Sequence, residues 1–565
     1  MKKLIRLLIV SVLAATLFVF TACNRSESGS SVKSGASIIA GDTSVSKTTS
    51  VSAAAAVTDS TVTATESTDE FTVVTTDGAV PEKSGDVYTI TAAGTYTLSG
   101  RLDGQIVVEA ADTDTVVIEL SGATIVYSKD SPVKILSADK AEISAKSGTE
   151  NVIKDTRSAK KTDVETQGEG AVYAKCDLKL KGTGTLVVEG GYNNGVHTTK
   201  DLTVQKLSLK VTAYDNAIKG NDSVTVKSGT VVAISTHGDG IKTQNTDANG
   251  KGEVRGDVTF TGGSIAVYAA GDGIQAAHNF ETSADADGNV PTVVIYTGSY
   301  SGYTASGAST TSYKGVKAQN ELNVNAGYIT LNTYDDGLHC DHGTAFTAGG
   351  TGLGTINITG GEIAMTVYSP ANKTPGGKVG PGGRGNQISV KGADGIHADY
   401  KLNISGGKIT IDSSYEGLEA NVITVSGGET CVSANDDGVN ASKGVETPQI
   451  IITGGYLDVA VSPSGDTDGI DSNGTYTQTG GVVIAMGPNQ QNMSAIDADG
   501  SVKITGGTLI VIGYGRVSTG GSVKTYTLSL HSAGSHTVTI DGKAYTFNNA
   551  YSYGQTKCYS SVSVG

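Results

Sequence analysis

From Val172 to Ile496 the chain repeats one pattern of apolar and polar positions. An aliphatic anchor is followed by a mostly polar residue and then a small one, as in Val196-His197-Thr198, Leu338-His339-Cys340, Ile396-His397-Ala398 and Leu418-Glu419-Ala420. Alternation at period two marks a strand with one buried face; a helix would repeat its apolar residues at i, i+3 and i+4. Anchors recur at Val172, Val196, Ile218, Ile241, Ile274, Val316, Leu338, Ile396, Leu418, Val439, Ile470 and Ile496, with shortest spacings of 21 and 22 residues. Each unit carries two further short strands, such as Leu402-Asn403-Ile404 and Ile409-Thr410-Ile411 around Gly406-Gly407. Three short strands and three turns per unit of about 22 residues predict one coil of an all-β parallel β-helix.

The pattern also divides the chain. Residues 1–22 combine a basic start, Met1 to Arg6, with an apolar run from Leu7 to Phe20, and read as a signal peptide. Thr21-Ala22-Cys23 resembles the lipobox of bacterial lipoproteins, which implies cleavage before Cys23 and lipidation on it. Residues 23–70 are rich in Ser, Thr, Ala and Val, bury little, and read as a tether from the membrane. Residues 71–171 hold strands such as Ile106-Val107-Val108 without the repeat signature, as expected of the end coils that cap a solenoid. Residues 172–520 form the regular helix, with turn insertions at 245–256, 281–290, 297–312 and 370–386. Residues 521–565 leave the pattern. Val538 to Phe547 contains Asp541-Gly542 and predicts a hairpin in a small C-terminal β module that caps the open end.

Composition narrows the function. The 565 residues include 76 Gly, 9 Pro, 24 Tyr and no Trp, a usage that fits many tight turns. The net charge of −15 argues against nucleic acid, which needs clustered Lys and Arg, and is compatible with cations.

Two residues before the anchors stands a column that includes Asp239, Asp272, Lys314, Asp336, Asp394, Glu416, Asp437 and Asp468. Adjacent coils lie about 4.8 Å apart, so the run from Asp336 to Asp468 stacks five carboxylates. At that spacing neighbours repel by about 1 kcal/mol in water, and by more when partly desolvated. Any single Asp before Gly reads as a turn former. The ladder as a whole points to calcium, which accepts flexible oxygen shells; Asp239 and Asp272, next to Asn216 and Lys314, are its weaker members.

One residue after the anchors, Lys219, Lys242 and Lys317 could contact uronate carboxylates, or simply form a solvated, salt-bridged strand face. His197, His339 and His397 share that column, where carboxylate and amide neighbours argue against a His-rich zinc site. Tyr214, Tyr334 and Tyr415 sit in the turns and can stack on sugar rings or pack the corners. Cys340 falls in the inward small column, and Cys176, Cys431 and Cys558 show no pairing spacing.

These motifs resemble the clostridial carbohydrate-binding family of secreted, calcium-containing right-handed β-helices that bind cellulose and polygalacturonate. The stretches that carry the likeness are Tyr192-Asn193-Asn194-Gly195-Val196-His197, Gly238-Asp239-Gly240-Ile241-Lys242, Gly271-Asp272-Gly273-Ile274-Gln275, Tyr415-Glu416-Gly417-Leu418-Glu419, Asp436-Asp437-Gly438-Val439-Asn440 and Ala93 to Gly100. The likeness runs over roughly residues 85 to 511. It implies a right-handed helix and non-catalytic, calcium-assisted binding of plant cell-wall or acidic polysaccharide by a monomeric, secreted, lipid-anchored surface protein. A calcium-dependent pectate-type lyase and a structural adhesin or spacer remain as alternatives.

Overall fold

The computed structural model describes residues 58–158, 169–298, 312–342, 354–368, 392–465 and 467–565. The signal segment, Cys23, most of the tether and the bulk of the insertions at 297–312 and 370–386 lie outside these residues.

The repeat folds as one coil per unit. Strands Asn194–Thr198, Asp201–Gln205 and Leu207–Ala213 make one coil, and each pairs in parallel with its counterpart in the next. Three sheets result, wrapped around one core, in a parallel β-helix. The register follows the anchors: Val196 pairs with Ile218, Ile218 with Ile241, Ile274 with Val316, Val316 with Leu338, Leu338 with Ile396, Ile396 with Leu418, and Leu418 with Val439. Leu338 and Ile396 keep register although the stretch between them is long.

The anchors are fully buried, stacked against second-sheet residues such as Leu202, Val224, Phe280, Leu322, Leu402 and Ile423. Burying each aliphatic side chain contributes about 1.5–3 kcal/mol, so the apolar stack outweighs any single surface contact. Glycine precedes the anchor for a steric reason. A Cβ on Gly395 would lie 2.6 Å from the Gly417 carbonyl oxygen and 2.6 Å from Ile411 Cδ1.

Both ends depart from parallel pairing. Thr72–Thr75 runs antiparallel to Gly94–Asp103. At the other end Thr556–Ser560 pairs antiparallel with Thr508–Ile512 and with Lys524–Thr527. The hairpin Gly534–Ile540 with Lys543–Asn549 turns at Asp541 (φ 51°) and Gly542 (φ 77°), both left-handed as its tight turn demands. Its Val538 and Phe547 cover Ile484, Ile510 and Ile512 on the outer face of the third sheet.

Residues 58–70, within the stretch expected to be tether, lie along the same outer face nearer the start. Val62 is buried against Val187 and Val232. Lys210 Nζ donates to the Asp59 carbonyl (2.6 Å), and the Thr65 N–H donates to Glu150 (2.7 Å). Cys340 points inward and is fully buried, and Cys176 and Cys558 are likewise free and buried. Cys431 is buried in the cluster that the hairpin covers.

Candidate functional site

The corner between the third and first sheets carries the acidic column, and the coils are laced together there by a repeated pair of hydrogen bonds. Each column residue accepts, at its backbone carbonyl, the N–H of the glycine one coil earlier: Gly337 to Asp394, Gly395 to Glu416, Gly417 to Asp437 and Gly438 to Asp468, all 2.9 Å. Its own N–H usually donates back to the preceding carboxylate. Asp394 N–H donates to Asp336 Oδ1 (2.7 Å), Glu416 to Asp394 (3.2 Å), Asp468 to Asp437 (2.7 Å), and Asp272 to Asp239 (2.9 Å). Asp-Gly thus joins coil to coil, and one carboxylate oxygen is left over at each step.

What that second oxygen meets differs along the column. Asp239 pairs with Lys242 Nζ at 2.9 Å. Lys314, itself a column residue and buried, reaches Asp335 (3.1 Å) and Asp336 (2.6 Å). Burial favours a neutral Asp336, but the Lys314 ammonium and the His339 bond hold its carboxyl well below the usual range. His339 Nδ1 lies 2.7 Å from Asp336 Oδ2. His397 Nδ1 lies 3.1 Å from Asp394 and 2.7 Å from Glu419. Burial opposes charge on His397, yet its carboxylate bonds raise its pKa well above the ordinary histidine value.

Beyond His397 no cation among the described residues pairs with the column. Glu416 receives only an amide N–H, from Asn440 Nδ2 (3.0 Å). Asp437 and Asp468 receive the next coil's backbone N–H groups, and Ser494 Oγ lies 3.0 Å from Asp468. Burial, then repulsion from Asp436, pushes Asp437 up to about 8. Burial also pushes Asp468 to about 7 and Asp394 to about 7, while Glu416 rises well above its ordinary value. Asp471, one residue beyond its anchor, is raised to about 6 by burial and by Asp497 and Asp499. These carboxylates form an oxygen-rich patch of high negative charge density suited to a hard cation.

The other sequence-derived candidates fall as follows. Lys219 and Lys242 lie in register on adjacent first-sheet strands; Lys242 is tied to Asp239, and Lys317 is tied to Asp341 (2.9 Å). Tyr415 bonds to Asp436 and packs over Gly392. Tyr334 tilts against Tyr368 at 5.3 Å. Tyr214 stacks on His237 at 4.1 Å and lines a cleft of ≈ 500 Å³ between residues 62–64 and the third sheet, together with Glu189, Lys210 and Thr212. The cleft and the acidic patch do not coincide. Six coils separate Ile218 from Leu418, about 29 Å at the strand spacing, but both features border the same corner.

A stacked pair, Tyr268 and Tyr296 (5.3 Å, 3°), sits on the outer face of the third sheet and escapes a reading anchored on the first. Its signal is a tyrosine one residue before the end of two successive third strands, Ser264–Ala269 and Thr292–Thr297. Asp471 and Asp497 were also missed; they continue the outward column that holds His339, His397, Glu419 and Asn440.

Residues 84–369 and 352–438 match the family described as carbohydrate-binding domain-containing protein, which covers more than half of the chain. A protein of Acetivibrio thermocellus with the same description is 35% identical over 126 residues, 22% of this chain. The match spans 44% of that relative, under half its length. A solved structure described as the polysaccharide lyase-like protein from C. thermocellum, gadolinium derivative, is 31% identical, with a TM-score of 0.37 over 44% of this chain and 90% of that one.

Proposed function

The chain belongs to the family of carbohydrate-binding domain-containing proteins, and from that premise we propose that it binds acidic or plant cell-wall polysaccharide at the cell surface, without catalysis, through calcium. The observation that carries the calcium reading is the change of counter-charge along the column. Lys242, Lys314 and His397 neutralise its first part, and among the described residues Glu416, Asp437 and Asp468 have only N–H and O–H donors. Calcium held there by carboxylate and turn-carbonyl oxygens would offset the repulsion and leave coordination positions for a uronate. A polysaccharide laid along the corner would meet these ions and, farther toward the start of the helix, the cleft at Tyr214.

Binding rather than cleavage fits the lysines. A lyase base must shed its proton, and Lys242, held by Asp239, has its pKa raised despite burial. The lipobox-like Cys23 and the Ser/Thr-rich stretch after it support a lipid-anchored protein on the outer face of a membrane.

The test is a panel of insoluble and soluble glycans, including cellulose and polygalacturonate, with calcium and with chelator. Calcium-dependent retention without product supports the reading. Unsaturated ends released from polygalacturonate would select the lyase. Failure on the whole panel would leave a structural spacer.

A further inference from the structure

Two adjacent coils carry a histidine and an aspartate two residues apart at matching first-sheet positions, His339-Cys340-Asp341 and His397-Ala398-Asp399. In a strand, residues two apart face the same side, so each triplet presents an imidazole and a carboxylate outward. His339 pairs with His397 in the parallel register, and the two rings stack at 4.8 Å and 13°. Two outward His–Asp pairs, one on each strand, therefore lie side by side.

The distances are those of a ligand set. His339 Nε2 lies 2.5 Å from Asp341 Oδ1, and His397 Nε2 lies 3.3 Å from Asp399 Oδ1. The ligand atoms of His339, Asp341 and Asp399 all lie within 4.8 Å of one another. A third imidazole closes the edge, with His342 Nδ1 3.8 Å from Asp399 Oδ2. Ligands of a tetrahedral zinc centre stand about 3.3 Å apart, so His397 and Asp399 already have that separation. His339 and Asp341 would move apart by less than an ångström.

A second observation concerns the far side of the rings. His339 Nδ1 faces Asp336 Oδ2 at 2.7 Å, and His397 Nδ1 faces Asp394 Oδ2 at 3.1 Å. Metal-bound histidines characteristically donate the other ring N–H to a carboxylate, which fixes the ring and aims the free nitrogen at the metal. The acidic column supplies that carboxylate for His339, whereas His397 Nδ1 lies nearer Glu419 Oε2, at 2.7 Å; the Nε2 atoms of the two rings point to Asp341 and Asp399.

We propose that His339, Asp341 and Asp399, with His342 at the edge and His397 bonded to Asp399 beside them, bind a borderline divalent metal ion of the zinc class. This site is separate from the calcium reading. Calcium takes oxygen ligands, whereas imidazole nitrogens favour zinc, cobalt and nickel. Lys317, whose Nζ lies 2.9 Å from Asp341 Oδ2, would neutralise the second oxygen of that ligand.

The test uses the purified protein, stripped of metal and titrated with cobalt(II), whose visible absorption reports nitrogen and oxygen coordination. One cobalt per chain is expected, displaced by zinc and not by excess calcium. His339→Gln and Asp399→Asn should each weaken binding about tenfold or more, with circular dichroism confirming the fold. Asp112→Asn, exposed in the entry coils and outside both sites, should leave cobalt affinity unchanged. No visible bands, wild-type affinity in both site variants, or displacement by calcium would overturn the proposal and leave imidazolium–carboxylate pairing only. Calcium-dependent glycan binding that persists in the site variants would leave the proposed function intact, so the two readings fail separately.

Discussion

Lys314 Nζ lies 2.6 Å from Asp336 Oδ2, and each side chain is only 4% exposed. One column position thus carries the counter-ion of the next. Removing one partner of such a pair leaves a buried charge unmatched, at a cost of about 3–5 kcal/mol. Lys314→Met should lose roughly that much stability in urea unfolding, and adding Asp336→Asn should restore most of it. A small loss in the single variant would mean that Asp335, 3.1 Å from Lys314, does not depend on the same ammonium.

A chelator should lower the melting temperature. A ligand bound only by the folded state stabilises it by an amount that grows with free calcium over its dissociation constant. The triple variant Asp394→Asn, Glu416→Gln, Asp437→Asn keeps side-chain shape and removes three charges. It should abolish most of the calcium shift while leaving the chelated protein as stable or slightly more so. An undiminished shift would place the ions elsewhere.

In chelator, stability should fall as pH rises from about 4 to about 8. The folded-state pKa values of Asp394 (about 7), Asp437 (about 8) and Asp468 (about 7) lie above the ordinary 3.8, so the native state holds more protons in this window. Their stabilising protonation is complete at the acid end and lost through the folded values. His397, raised, acts in the same direction above its ordinary 6.5. His197, lowered to about 4 by burial, opposes the trend up to that ordinary value. Chemical denaturation across this range checks the slope. Saturating calcium should flatten it.

Cys340→Ala should cost at most about 1–2 kcal/mol, because it removes one small atom from a fully buried column. Burial pushes the Cys340 thiol far up, so a thiol reagent should label it only upon unfolding. Rapid labelling of the folded protein would contradict its inward position.

Cys23→Ser should release the protein from the membrane fraction and end its labelling by lipid precursors. Unchanged association, or a reducible bond at Cys23 in place of lipid, would overturn the lipoprotein reading.

The coils were legible because an anchor, a small residue and a glycine recur together. The expected register of Ile396, Leu418 and Val439 is the observed one, since the short spacing leaves no room for slippage. Counter-charge was harder to read. A lysine at 314 interrupts an acidic column in the sequence, and only folding shows it buried between Asp335 and Asp336. The docking of residues 58–66 was hidden because it rests on one buried valine, Val62, and on backbone hydrogen bonds that no apolar pattern announces. Tyr268 and Tyr296 were hidden because a repeat aligned on one sheet says little of another's outer face.

The antiparallel strand Thr556–Ser560 has a consequence for assembly. Every coil edge in this fold is a template for the next, and Thr508–Ile512 would be such a template for a second molecule. Pairing it in the opposite direction with Thr556–Ser560 covers that edge, and removing those five residues would leave it open to another strand.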